Sequence, residues 1–211
     1  FFRLWTWAQA RWSTETADAD YWYRPLPWPR TGPELALDGL PKHDVSQVES
    51  RWLERVRERV IEARERGFYV SVMLFNGWSV SADKGGHAAG NPWHGHPLHR
   101  DNNANGLDGD PARTGSGERV HSLDDPAITA AQAAYVRTVV LRLNDLDNVL
   151  YEISNESHGA SEAWQYEMID TIRRTEAGLP NQHLVGMTVE WPGGSNADLY
   201  ASSADWISPN G

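Results

Sequence analysis

Apolar positions along the chain fall into two alternating patterns: short unbroken runs, and longer stretches in which every third or fourth residue is apolar. The unbroken runs cover residues 1–7, 68–75, 149–154 and 184–190, and another begins at 205. Runs of this length, rich in aromatic and β-branched residues, read as strands covered on both faces of a parallel sheet. Between them, residues 47–66 carry Val48, Trp52, Val56 and Val60 on one stripe, with Leu53 and Ile61 beside it. That is an amphipathic helix with Arg and Glu on its wet side, and Gly67 supplies its stop. Asp125 and Pro126 open a second helix as N-cap and first residue, and Ile128, Ala131, Tyr135, Val139 and Leu143 mark its buried stripe. Ser161 caps a third, which turns Trp164, Met168 and Ile172 inward before Gly178 and Pro180 end it. A short helical turn is expected over 198–203.

Strand and helix in alternation predict parallel βα units. A doubly wound, flavodoxin-like sheet and a β/α barrel both fit that pattern. Polar and aromatic side chains recur at the strand ends, which favours the barrel, where several strand ends share one mouth. Trp5 and Trp7 close the first run, Asn76 and Trp78 the second, Asn155, Glu156 and His158 the third, and Glu190 and Trp191 the fourth. Residues 8–46 and 79–125 read as long loops. Alternating prolines over 22–29 exclude a helix interior or a central strand there, so this stretch is predicted to be a folded wall of a cleft rather than a proline-rich peptide ligand.

The formal charge of −10 argues against non-specific binding to nucleic acid or to an anionic membrane surface. No run approaches the length of a membrane span, and without Cys there is neither disulfide nor thiolate chemistry. The chain opens at Phe1 inside a strand-like run, so its true start is expected to lie upstream. Eleven Trp residues change the picture more than charge does. Trp52 and Trp164 lie on helical stripes and are expected in the core. Trp5, Trp7, Trp28, Trp78, Trp93 and Trp191 sit at strand ends or in loops, where flat aromatic faces suit sugar rings in a wet cleft.

Candidate chemistry concentrates at two places. His94, His96 and His99 could ligate a metal, but irregular loop spacing does not aim them together. Asp101 to Gly106 opens like a calcium loop and fails at its twelfth place, Ala112, so no metal or other cofactor is expected. Glu156 ends a buried strand, where a barrel exposes side chains for chemistry; the plain alternative is an acid favoured near a helix start. Asn155-Glu-Ser157 also spells a glycosylation sequon, poorly accessible at a buried strand's end.

Tyr151-Glu152-Ile153-Ser154-Asn155-Glu156 resembles the motif closing the fourth barrel strand of clan A glycoside hydrolases, the cellulase-like and apiosidase-like enzymes. The resemblance implies a single, partial (β/α)8 TIM-barrel catalytic domain over 1–211, about strands two to six, acting on a carbohydrate. It makes Glu156 the general acid/base, lets Asn155 contact a sugar hydroxyl, and has Arg3 hydrogen-bond a nucleophile that ends the seventh strand. Glu190 is the other strand-ending carboxylate, a candidate catalytic partner, sugar contact or salt-bridge member. Related sequences carry a similar His-Pro, Asn-rich loop, which gives His96, His99, Asn102 and Asn103 roles in bonding the loop or sugar hydroxyls. Substrate contacts are thus expected from Arg3, Trp5, Trp7, Asn76, Trp78, His96, Asn103, Asn155, His158 and Trp191.

Overall fold

The computed structural model describes residues 1–10, 23–82 and 90–210. In chain order the elements are β1 (Phe2–Trp5), β2 (Arg30–Leu35), β3 (Pro41–His43), α1 (Ser50–Glu65), β4 (Val70–Asn76), α2 (Pro126–Leu143), β5 (Val149–Asn155), α3 (Glu162–Glu176), β6 (Leu184–Thr188), α4 (Asn196–Ala201) and β7 (Trp206–Ser208). Five strands form one sheet in the order β1-β4-β5-β6-β7, and every neighbouring pair is parallel. Spatial order therefore follows chain order without reversal. A doubly wound sheet must reverse at a switch point, so this is the arc of a (β/α)8 barrel and the flavodoxin-like alternative falls away.

The helices stand side by side in one layer. Arg57 of α1 reaches the Arg142 carbonyl and Asp145 at the end of α2, and Trp164 of α3 donates its indole N–H to Gln132 of α2 at 2.9 Å. Under them β4 is buried along its whole length. Tyr135 is the centre of an aromatic cluster with Trp28, Trp52 and Phe75, and its hydroxyl donates to the Leu74 carbonyl. Asp125 caps α2 through the N–H groups of Ala127 and Ile128, and Gly67, at φ +74, ends α1. Ser161 stands at the start of α3 without capping it; its hydroxyl accepts from Gln165 instead.

Three expectations need correction. The first long loop contains an antiparallel hairpin of β2 and β3, and Pro33 lies within β2 because a two-stranded ribbon leaves half its N–H groups unpaired. Its residues 11–22, including Trp22, lie outside the described residues. Trp28 and Trp93 are core residues, 5% and 1% exposed. Trp93 lies under Gly109 and Gly117, where any Cβ would collide with its ring. Finally, β6 stops at Thr188, so Glu190 belongs to the turn that follows.

Candidate active site

β5 carries the site. Asn155 is its last residue, and Glu156 leaves the strand with φ +51, a left-handed conformation rare outside glycine. Gly77 lies directly behind; a Cβ there would stand 2.2 Å from the Glu156 carbonyl oxygen, so only glycine admits this turn. The exposed Glu156 side chain lines a concavity of about 370 Å³ together with Arg3, Glu152, Asn155, Trp191 and Trp206. Glu156 therefore leaves β5 among the strand ends, with the Trp191 indole lining the same space.

Arg3 is paired within the chain. Its guanidinium forks onto the fully buried Glu152, Nε to Oε2 at 2.8 Å and Nη2 to Oε1, and Nη2 also donates to Asn155 Oδ1 at 3.0 Å. Ser71 adds a longer contact to Glu152, and Trp5 lies against the Arg3 cation at 5.1 Å. A buried carboxylate needs such pairing, since losing one partner leaves an uncompensated charge. Glu152 is the residue that sequence reasoning missed. Its signal was present: an acid between Tyr151 and Ile153 in an apolar strand, opposite an Arg that itself required an anion.

The remaining candidates separate. Trp191 is 55% exposed and faces the concavity. Trp206, not anticipated as a site residue, lies flat over Gly186 and lines the same space. Trp5 and Trp7 line a neighbouring hollow of about 340 Å³ with Tyr23, and Trp7 packs against Trp78 at 5.4 Å. Asn76 is buried; its Oδ1 accepts the Trp78 N–H at the β4 turn, and its Nδ2 has no hydrogen-bond partner among the described residues. His158 is committed likewise: Nδ1 accepts from the Ala160 N–H and Nε2 faces the Glu118 carbonyl at 2.7 Å.

The loop residues are internal. His96 accepts the Leu98 N–H and stacks on Trp93, and burial, with His99 adding repulsion, lowers its pKa to about 3. Asn103 is 2% exposed and donates to the carbonyls of Pro97, His99 and Leu107, while Asn102 bonds those of His94 and His96. Neither His96 nor Asn103 reaches the concavity; the loop-building half of their expected role is the one they fill. Among the described residues no three His, Cys, Asp or Glu side chains are placed to hold a metal ion.

Glu190 is also a correction. Its carboxyl is 1% exposed and turned towards α3, where Gln165 donates to Oε1 at 3.2 Å; Oε2 has no hydrogen-bond partner among the described residues. Burial pushes its pKa up to about 7, with Asp198 and Glu162 adding repulsion. It faces away from the concavity that Glu156 lines, and it makes no ion pair among the described residues.

Comparison with known proteins identifies the family. Residues 33–210 match the family model described as Cellulase (glycosyl hydrolase family 5). The chain therefore belongs to that family of glycoside hydrolases. Solved structures similar to it include endo-glycoceramidase II from Rhodococcus sp. as a lactosyl-enzyme intermediate, at 22% identity and TM-score 0.48, covering 71% of this chain and 39% of that one. Its complexes with a cellobiose-like imidazole and a cellobiose-like isofagomine give 22% and 20% identity, TM-scores of 0.49 and 0.46, and 71% coverage of this chain against 38% and 39% of theirs. The chain spans about two-fifths of the length of those structures. No curated protein sequence matches it significantly.

Proposed function

We propose that this chain forms the acid/base side of a retaining glycoside hydrolase acting on β-linked poly- or oligosaccharides, with Glu156 as the general acid/base. The observation that carries this reading is the placement of Glu156: an exposed carboxylate held left-handed at the end of β5, in a concavity walled by Trp191 and Trp206. A non-glycine residue in that conformation costs about 1–3 kcal/mol and persists where its surroundings over-determine it, often at functional sites. Glu156 protonates the departing glycosidic oxygen and then, as carboxylate, activates the water that releases the sugar. Asn155, oriented by Arg3, presents its amide to a hydroxyl of the ring being cleaved. Trp191 and Trp206 give the apolar faces of the sugar a surface to lie on.

Retention requires a second carboxylate about 5–5.5 Å from the first. Glu152 is engaged in its bidentate pair with Arg3 and Glu190 faces α3, so neither is free to attack an anomeric carbon. The 211 residues alone are accordingly expected to turn over little or no substrate. The test is hydrolysis of a panel of β-linked glycans by the full-length protein and its Glu156→Gln variant. A loss of about 10²–10⁴-fold is expected for a deleted general acid. Equal rates would remove Glu156 from the chemistry, and tight calorimetric binding without cleavage by the parent would make the mouth a binding site only.

A further inference from the structure

Residues 156–159 are gripped by three separate parts of the fold, and one grip is a buried hydrogen bond directly behind the turn bearing Glu156. Ser157, 1% exposed, donates its hydroxyl to Ser154 Oγ at 2.7 Å, and its Oγ lies 3.0 Å from Nδ1 of the equally buried His121. Ser157 Oγ thus joins Ser154 and His121 in one buried chain of hydrogen bonds. The imidazole cannot swing away, because it stacks on Trp164 at 4.2 Å and 15° and meets the edge of Phe75.

His121 ends a short helical turn, Glu118–His121, that is itself anchored. Gln132 of α2 donates to the Val120 carbonyl and accepts the Trp164 indole N–H. The Glu118 carbonyl in the same turn receives His158 Nε2. From the other side, the β6 turn holds the segment through Trp191 N–H to the Ser157 carbonyl and Gly159 N–H to the Pro192 carbonyl. Gly77 closes the third side.

We propose that His121 and Ser157 are positioning residues: their hydrogen bond locks the left-handed turn at Glu156 and so aims its carboxyl at the leaving-group oxygen. This rests on the reading of Glu156 as general acid, and it adds two buried residues that no sugar touches. A misplacement of about 1 Å in a reacting group can cost on the order of 100-fold in rate. The cost falls on the step that needs the proton. Aryl glycosides with very acidic leaving phenols do not need it, and those with poor leaving groups do.

The experiment compares phenyl β-cellobioside with 2,4-dinitrophenyl β-cellobioside in the full-length protein and in Ser157→Ala, Ser157→Thr and His121→Phe. Phenylalanine keeps the stack on Trp164 and loses the ring nitrogen that bonds Ser157; threonine keeps the hydroxyl. Ser157→Ala and His121→Phe are expected to lower kcat on the phenyl substrate by about tenfold or more while changing the dinitrophenyl substrate less than about threefold, with KM unmoved. Ser157→Thr should recover most of the loss. Equal losses on both substrates, or none, would overturn the proposal. Crystal structures of the same variants supply a readout independent of substrate: Glu156 is expected to leave φ near +51, and its retention there also overturns the proposal. A Glu156→Gln control separates the two claims, since unchanged hydrolysis by that variant defeats the catalytic reading while the backbone result still decides the role of His121 and Ser157.

Discussion

Two glutamates buried to the same degree lie at opposite ends of β6, and they are built differently. Glu176, at the end of α3, receives the His183 N–H at 2.7 Å, His183 Nδ1 at 2.6 Å and Asn144 Nδ2 at 3.0 Å. His183 completes the set by placing Nε2 2.7 Å from the Leu146 carbonyl. Burial alone would lower the His183 pKa; Glu176, the Leu146 carbonyl and Asp147 outweigh it and raise it. Glu190, past the other end of the strand, accepts from the Gln165 amide, and its Oε2 has no hydrogen-bond partner among the described residues. In a β/α barrel the N-terminal face holds the fold together and the C-terminal face carries the chemistry. Complete pairing at one end and slack at the other is what that division of labour requires.

The largest effect should come from breaking the paired end. Glu176→Ala leaves His183 and Asn144 without their acceptor and is expected to cost about 3–5 kcal/mol in urea unfolding, the range for removing one partner of a buried pair. A loss under about 1 kcal/mol would erase the contrast with Glu190.

A smaller effect, with a pH signature, is expected at the slack end. The folded chain keeps the Glu190 proton up to about pH 7, whereas an unfolded chain releases it near 4.5, so folding stability falls as pH rises between those values and then levels. Glu190→Gln should match the parent at pH 4 and exceed it at pH 8 by on the order of 3 kcal/mol. His183 acts in a higher window. Its raised pKa makes its stabilising contribution complete below its ordinary value of 6.5 and lost as pH climbs through the raised value, so His183→Asn should flatten the upper part of the curve and leave the lower part alone. Denaturant midpoints from pH 4 to 9 check both; a Glu190 variant with the parent's pH dependence would contradict the first.

The smallest effect on stability belongs to the wall of the mouth. Trp191→Ala removes a 55% exposed indole and is expected to change stability by less than about 0.5 kcal/mol. The same variant should bind cello-oligosaccharides severalfold more weakly in calorimetry of the inactive Glu156→Gln background. Unchanged affinity would take Trp191 out of the site.

Which parts of this were legible beforehand follows from what each residue's neighbours in sequence reveal. The strands and helices were readable because their apolar runs and periods are long, as in 68–75 and along Trp164, Met168 and Ile172. Asn155 and Glu156 stood out as candidates because they end an apolar run and because Tyr151 to Glu156 resembles the clan A motif. Glu190 looked the same, since it too follows such a run. It misled because β6 ends two residues earlier than the apolar run implies, and the carboxyl then meets Gln165 in the first turns of α3. Trp28 and Trp93 misled for a related reason: loops that fold back onto the domain carry their indoles into its core, and no periodicity announces that. His121 and Ser157 gave no signal, being thirty-six positions apart in the chain and joined only in space.

The most direct test of the central claim sets the two strand-end acids against each other in one assay. Hydrolysis of phenyl β-cellobioside by the full-length protein is measured beside its Glu156→Ala and Glu190→Gln variants, each checked for folding. The expected result is a fall of at least about 100-fold for Glu156→Ala and a change within a few-fold for Glu190→Gln. Full activity without the Glu156 carboxyl, or its loss with Glu190→Gln in a folded protein, would contradict the assignment.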